Sequence, residues 1–245
     1  LRGKVKIILL SFFVLLTAGL IAFAVNKNAI DDQILSYTVD TKTQNLQLFW
    51  KNEKGEILKS FQNLKHHLER ENLILTFAMN GGMYNKDLSP QGLFIQNKKT
   101  FAVIDTAEGN GNFYLKPNGV FYITIDNTPI VCKTTDFKDN GKVKFATQSG
   151  PMLVIDGKIH AEFKEGSTNT NIRNGVGILP DNKVIFAMSK NEINFYDFAK
   201  YFQNLGCKNA LYLDGFVSRT YLPEKSWIQT DGNFGVMIGV TEKYK

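Results

Sequence analysis

Short apolar runs, broken at close intervals by turn-forming residues, dominate this chain, and that rhythm limits it to a fold of hairpins. The clearest unit is Asp156-Gly157, which joins the strand-like runs 152–155 and 158–161. Both turn residues tolerate positive φ, as a two-residue hairpin loop requires. Further pairs of runs flank Asp126-Asn127-Thr128 (119–125 and 129–133) and Pro180-Asp181-Asn182 (172–179 and 183–188). Runs at 35–39, 46–50, 73–78, 92–96, 145–147, 210–213 and 234–240 read as more strands, with polar loops at 105–112 and 164–171.

Two segments have helical spacing instead. Ser60 is placed to cap a helix over 61–70 with Phe61, Leu64 and Leu68 on one face. Asn194 caps a second whose core face is Phe195, Phe198, Ala199 and Phe202, stopped by Gly206. His66 and His67, mostly off the apolar face of the first helix, read as surface residues. Many hairpins and few helices predict an α+β chain, a single domain on a largely antiparallel or mixed sheet. At 245 residues and 43% hydrophobic, it can build one sizeable core.

The N-terminus has another character. Arg2, Lys4 and Lys6 precede an apolar run, 7–25, interrupted only by Ser11, Thr17 and Gly19. This is the pattern of an export signal rather than of a buried helix, and Ala22-Phe23-Ala24 fits a signal-peptidase site. The run also approaches the ~20 residues of a spanning helix. Residues 1–25 are therefore expected to be a signal peptide or a signal anchor, touching the membrane if uncleaved, with the domain at 26–245. Both options make the protein exported, periplasmic or otherwise extracytoplasmic. No cysteine stands where a lipid anchor would need one.

Other classes are disfavoured. The formal charge of +6 falls to +3 without the three basic residues of the leader, and no basic run carries interleaved aromatics. Nucleic acid is not an expected partner. Cys132 and Cys207 are the only cysteines, and two buried free thiols are preferred over a bridge. With His66, His67 and His160 they form no CxxC, HxH or HExxH spacing, so no zinc site is expected. No GxSxG elbow is present to receive a histidine-based triad.

Chemistry is expected at three strand ends. Run 210–213 stops at Asp214-Gly215, run 73–78 leads to Asn80-Gly81-Gly82-Met83-Tyr84, and run 145–147 leads to Gln148-Ser149-Gly150-Pro151. A carboxylate at the end of a buried strand, beside a flexible turn, is a common place for a reactive group. Three such ends suggest one polar pocket drawn from distant parts of the chain.

These pieces, in this order, resemble the phosphodiester glycosidase family over roughly residues 75–240. Asn80-Gly81-Gly82-Met83-Tyr84 resembles its N-G-x-[FY] turn, and Gln148-Ser149-Gly150-Pro151-Met152-Leu153 its QSGPxL segment. Arg173-Asn174-Gly175-Val176-Gly177 resembles its arginine strand, and Leu213-Asp214-Gly215 its LDGG-x-S turn. Phe216 departs from the pattern, since a glycine is usual there. The resemblance implies a hydrolase that cleaves a sugar-1-phosphodiester, with a carbohydrate or sugar-phosphate ligand and a role in envelope glycan or exopolysaccharide metabolism.

It also implies roles for residues. Asp214 becomes the catalytic carboxylate and Arg173 the phosphate clamp. Asn80, Gly81, Gly82, Tyr84, Gln148, Ser149, Gly150, Asn174, Gly215, Ser218 and Arg219 become the substrate-binding set. Tyr84 and Phe216 can stack on a sugar or simply pack. A phosphate ester leaves readily, so one carboxylate can suffice; Glu108, Glu162 and Glu165 stand as unranked candidates for a second. No cofactor is expected, and a divalent cation is left open. The alternative reading is a non-catalytic protein that binds carbohydrate or sugar phosphate in the envelope.

Overall fold

The computed structural model describes residues 32–214 and 217–244. The leader at 1–25 and the Gly215-Phe216 pair lie outside the described residues. Among the described residues no helix is long and apolar enough to cross a membrane.

The chain opens with β1 (Ile34–Val39), β2 (Asn45–Phe49), α1 (Phe61–Arg70) and β3 (Leu73–Asn80). It continues through β4 (Phe94–Gln96), β5 (Lys99–Ala102), β6 (Gly119–Thr124), β7 (Pro129–Lys133) and β8 (Val143–Ser149). Next come β9 (Met152–Ile155), β10 (Lys158–Ile159), β11 (Asn174–Ile178) and β12 (Val184–Ser189). The last elements are α2 (Phe195–Asn204), β13 (Ala210–Tyr212), β14 (Thr220–Leu222), β15 (Trp227–Ile228) and β16 (Met237–Lys243).

The strands form three sheets, in the orders β1-β12-β11-β13-β9-β10, β15-β14-β3-β16-β2 and β5-β4-β8-β6-β7. The pairings from β2 onward are antiparallel, as the hairpin rhythm implies. Asp156 and Gly157 have φ of 49° and 79°, the two left-handed residues that a tight β9–β10 hairpin needs.

One core joins the sheets. Phe186 of β12 lies 5.3 Å from the ring of Phe77 in β3 and 5.9 Å from that of Phe121 in β6. Each of the three rings comes from a different sheet and is fully buried. Burying such a side chain contributes roughly 1.5–3 kcal/mol, so truncating Phe186 removes packing from all three layers at once.

The helices cover outer faces. Ser60 Oγ accepts from Asn63 N at the start of α1, whose Phe61, Leu64 and Leu68 pack against Leu75 and Ala78 of β3. Asn194 Oδ1 accepts from Asp197 N at the start of α2. Phe198 and Phe202 of α2 press on β11, where a side chain at Gly177 would collide with the Phe202 ring and one at Gly175 with Leu211 O and Leu153, tight against Phe198. That close approach requires glycine in an otherwise apolar strand.

The largely antiparallel α+β architecture is as expected, with its strands divided among three sheets. Several finer expectations need correction. His67 is buried, at 8% exposure, because the turn carrying Glu53 folds over the C-terminal half of α1. Arg173 precedes β11 rather than lying within it. The last strand runs 237–243 instead of 234–240, because Thr241–Lys243 pair with the start of β3 while Phe234 bridges to Lys59. Strands β5, β14 and β15 had no clear sequence signal.

Candidate active site

The site grows from the ends of β3, β11 and β13. Gly175 faces Tyr212 in the β11–β13 ladder, and Leu213 N donates to Asn174 O at 3.1 Å. Arg173 and Asp214 each lie just beyond this ladder, before β11 and after β13.

Buried side chains hold the backbone of Asp214 on both sides. Asn174 Oδ1 accepts from Asp214 N at 2.9 Å. Asn80 Nδ2 and Ser218 Oγ both donate to Asp214 O at 3.1 Å. Ser149 Oγ donates to the preceding carbonyl, Leu213 O. The two asparagines also hold each other, with Asn174 Nδ2 donating to Asn80 O at 2.8 Å and to Asn80 Oδ1 at 3.0 Å. Arg219 N donates to the same Asn80 Oδ1 at 2.9 Å. Asn80, Asn174 and Ser149 are fully buried. Leaving one such polar group without its partner costs about 1–3 kcal/mol. Asn80, Asn174, Ser149 and Ser218, expected at the substrate, thus spend these bonds on positioning Asp214.

Arg173 is 1% exposed and sits in a neutral cage. Its Nε donates to Ile193 O at 2.8 Å, and its Nη2 to Asn169 O at 2.9 Å and Asn169 Oδ1 at 3.2 Å. Nη1 reaches Tyr212 Oη at 3.5 Å. The guanidinium lies 3.5 Å from the ring centre of Phe195. That ring stacks on Phe163 at 4.7 Å, and Phe163 on His160 at 4.8 Å, giving a column of four planar groups. Burial depresses the pKa of Arg173, partly offset by Tyr212. These partners are uncharged at neutral pH, so the cation is solvated by dipoles and a ring face. Tyr212 and Phe163 had been missed; the first was legible as the residue two before Asp214.

Tyr84 is half-buried near Asp214. Its hydroxyl is pushed up to about 12 by burial and then by the Asp214 charge. It therefore stays a protonated donor at ordinary pH. Arg219 is at the surface, where Nε meets Asp231 Oδ2 at 3.2 Å and Nη1 donates to Ser218 O at 3.1 Å.

A cleft of about 210 Å³ is lined by Glu162, Phe163, Lys164, Asn169, Phe195 and Tyr196 among others; Asn169 and Phe195 contact Arg173, but neither Arg173 nor Asp214 lines it. Glu162 is the one of the three extra carboxylates on its wall; all three are exposed.

Other expected site residues have structural duties. Gln148 Oε1 accepts from Leu93 N at 3.0 Å and Asp105 N at 2.9 Å. Its Nε2 donates to Asp105 O at 2.6 Å and Thr134 Oγ1 at 3.3 Å. This fills all four positions of the amide, making Gln148 the post that ties down the loop at 103–112. Gly82 has φ +77° and lies against Thr147, while Gly81 and Gly150 are crowded by Ile238 and Asn118. Both cysteines are free thiols, raised by burial to about 11 for Cys132 and about 12 for Cys207, and so neutral.

The fold built around this turn is that of a glycosidase-like hydrolase. The phosphodiester glycosidase model matches residues 75–240, and the chain belongs to that family. It is 35% identical to the uncharacterized protein YigE of Escherichia coli K12 over 247 residues, covering 99% of this chain and 96% of YigE. Among solved structures it resembles the zebrafish N-acetylglucosamine-1-phosphodiester alpha-N-acetylglucosaminidase catalytic domain, auto-inhibited by its pro-peptide. That match has a TM-score of 0.56 at 13% identity over 86% of this chain and 89% of the other. A putative exported protein from Burkholderia pseudomallei gives 0.52 at 11% identity over 84% and 73%. At such identities these structures share the fold.

Proposed function

We propose that the protein hydrolyses a sugar-1-phosphodiester, with Asp214 as the catalytic carboxylate. It would do so outside the cytosol, in envelope glycan or exopolysaccharide metabolism. The observation that carries this reading is the clamping of the Asp214 backbone by Asn80, Asn174 and Ser218.

In the reaction the bond between C1 and the phosphate oxygen breaks, and its electron pair stays on that oxygen. Positive charge develops at C1 and the ring oxygen, where a fixed carboxylate stabilises it most. Water supplies the hydroxyl that C1 finally carries, and its other proton passes to the medium. The departing phosphate monoester gains charge, which this reading has the Arg173 guanidinium balance. The Tyr84 hydroxyl can donate to a substrate or leaving-group oxygen. This reading assigns ligand to the space over the Asp214 turn, beside Tyr84.

The test is release of free sugar from a panel of sugar-1-phosphodiesters by the full chain in detergent and by its Asp214→Asn variant. Release by the parent and a loss of about 10³-fold or more in the folded variant is the expected result. Equal release by both would refute the role of Asp214. Saturable binding without release would favour the non-catalytic alternative.

A further inference from the structure

At the far end of β3 from Asn80, three side chains of metal-binding type converge. His67 and Glu71 are one turn apart at the end of α1, and Glu53 comes from the turn between the Lys51–Ile57 bridge partners. His67 Nε2 lies 3.5 Å from Glu53 Oε1 and 3.5 Å from Glu71 Oε1. All three ligand atoms fall within 4.8 Å of one another. We propose that Glu53, His67 and Glu71 form a divalent-cation site, suited to zinc, that pins the 52–55 turn to α1.

Ligand spacing supports it. Zinc binds imidazole nitrogen and carboxylate oxygen at about 2.0–2.2 Å in tetrahedral geometry, which separates neighbouring ligand atoms by about 3.4 Å. Both nitrogen–oxygen distances here, 3.5 Å, match that edge and exceed a good hydrogen bond.

The setting of the three side chains agrees with this. The Glu53 and Glu71 side chains are 72% and 43% exposed, so nothing in the packing forces them toward one imidazole. A divalent cation in that place would satisfy both carboxylates and the imidazole together. The His67 side chain, 11% exposed with Nε2 facing both carboxylates, is already oriented. With three protein ligands, water would complete the shell.

This site is separate from the Asp214 turn, since the eight residues of β3, Leu73–Asn80, span the distance between them. The cation's role here is to stabilise the fold.

The experiment is a zinc titration of the metal-free full chain in detergent by calorimetry, with thermal unfolding measured at each zinc level. We expect saturable one-to-one binding and a midpoint that rises with zinc. Glu53→Gln and Glu71→Gln, both at exposed positions, should each weaken binding at least tenfold. His66→Gln, a neighbouring histidine outside the cluster, and Asp214→Asn should leave it unchanged. No saturable binding, or binding indifferent to Glu53→Gln and Glu71→Gln, would overturn the proposal.

Discussion

Two networks of buried amides lie close together in this molecule and do different work. Gln148 uses every donor and acceptor of its amide on the backbone of 93 and 105 and on Thr134. Asn80 and Asn174 use theirs on each other and on the backbone of Asp214. The first ends on a loop, the second on a residue whose side chain can still do chemistry. Similar burial and similar bonds therefore produce a structural post in one case and a positioning device in the other. What separates them is the residue at the end of the chain of bonds.

Substitution can break this comparison. Asn174→Ala should lower kcat by about 10²-fold, because a small displacement of a reacting group is that costly. The loss should persist where circular dichroism shows the variant folded. Gln148→Leu should be at least as damaging to stability. It strands two backbone N–H groups and a carbonyl, for about 3 kcal/mol and a Tm fall of about 6–12 °C. Its kcat/KM, measured below the new midpoint, should stay within about twofold of the parent. If Gln148→Leu also abolished turnover while folded, the two networks would be one.

Smaller effects sharpen the contrast. Tyr84→Phe should cost about tenfold in kcat if the hydroxyl donates to the reacting oxygens. Its pKa is raised from 10.0 to about 12, so its stabilising contribution is whole below pH 10 and lost as pH climbs toward 12. Tyr84→Phe should remove that alkaline slope in Tm. At the other extreme stands His160, whose Nδ1 accepts from Glu162 N and whose Nε2 faces Lys116 O. Burial lowers its pKa from 6.5, partly offset by Lys116 and Glu162. The associated stability is whole above pH 6.5 and is lost as pH falls through the lowered value. A Tm-against-pH curve that is shallower for His160→Gln than for the parent would bear this out.

Much of this was legible in the sequence because it is local. The Asp156-Gly157 hairpin and the Ser60 and Asn194 caps depend on residues at most a few positions apart. The three polar strand ends also signal themselves, since an acid or amide after an apolar run is easily seen. Which way each polar atom turns is different, because it is decided by partners far off in sequence. Asn174 meets Asn80 across 94 positions, and Asn80 meets the Asp214 carbonyl across 134. Strand β14 has the same origin, as its Thr220 and Tyr221 become strand only by pairing with Met79 and Ala78. His67 is buried by a turn that ends well before its own helix begins.

The stacked column ending at Arg173 has a last consequence, one of direction. Phe195 seals one face of the guanidinium, and Ile193 and Asn169 occupy Nε and Nη2. The remaining nitrogen, Nη1, faces Tyr212 Oη at 3.5 Å. The column works as a keyway for the arginine itself. The flat group fits between ring face and carbonyls in one orientation only, and an arginine-to-lysine exchange, though it conserves charge, would lose the plane that fills the slot.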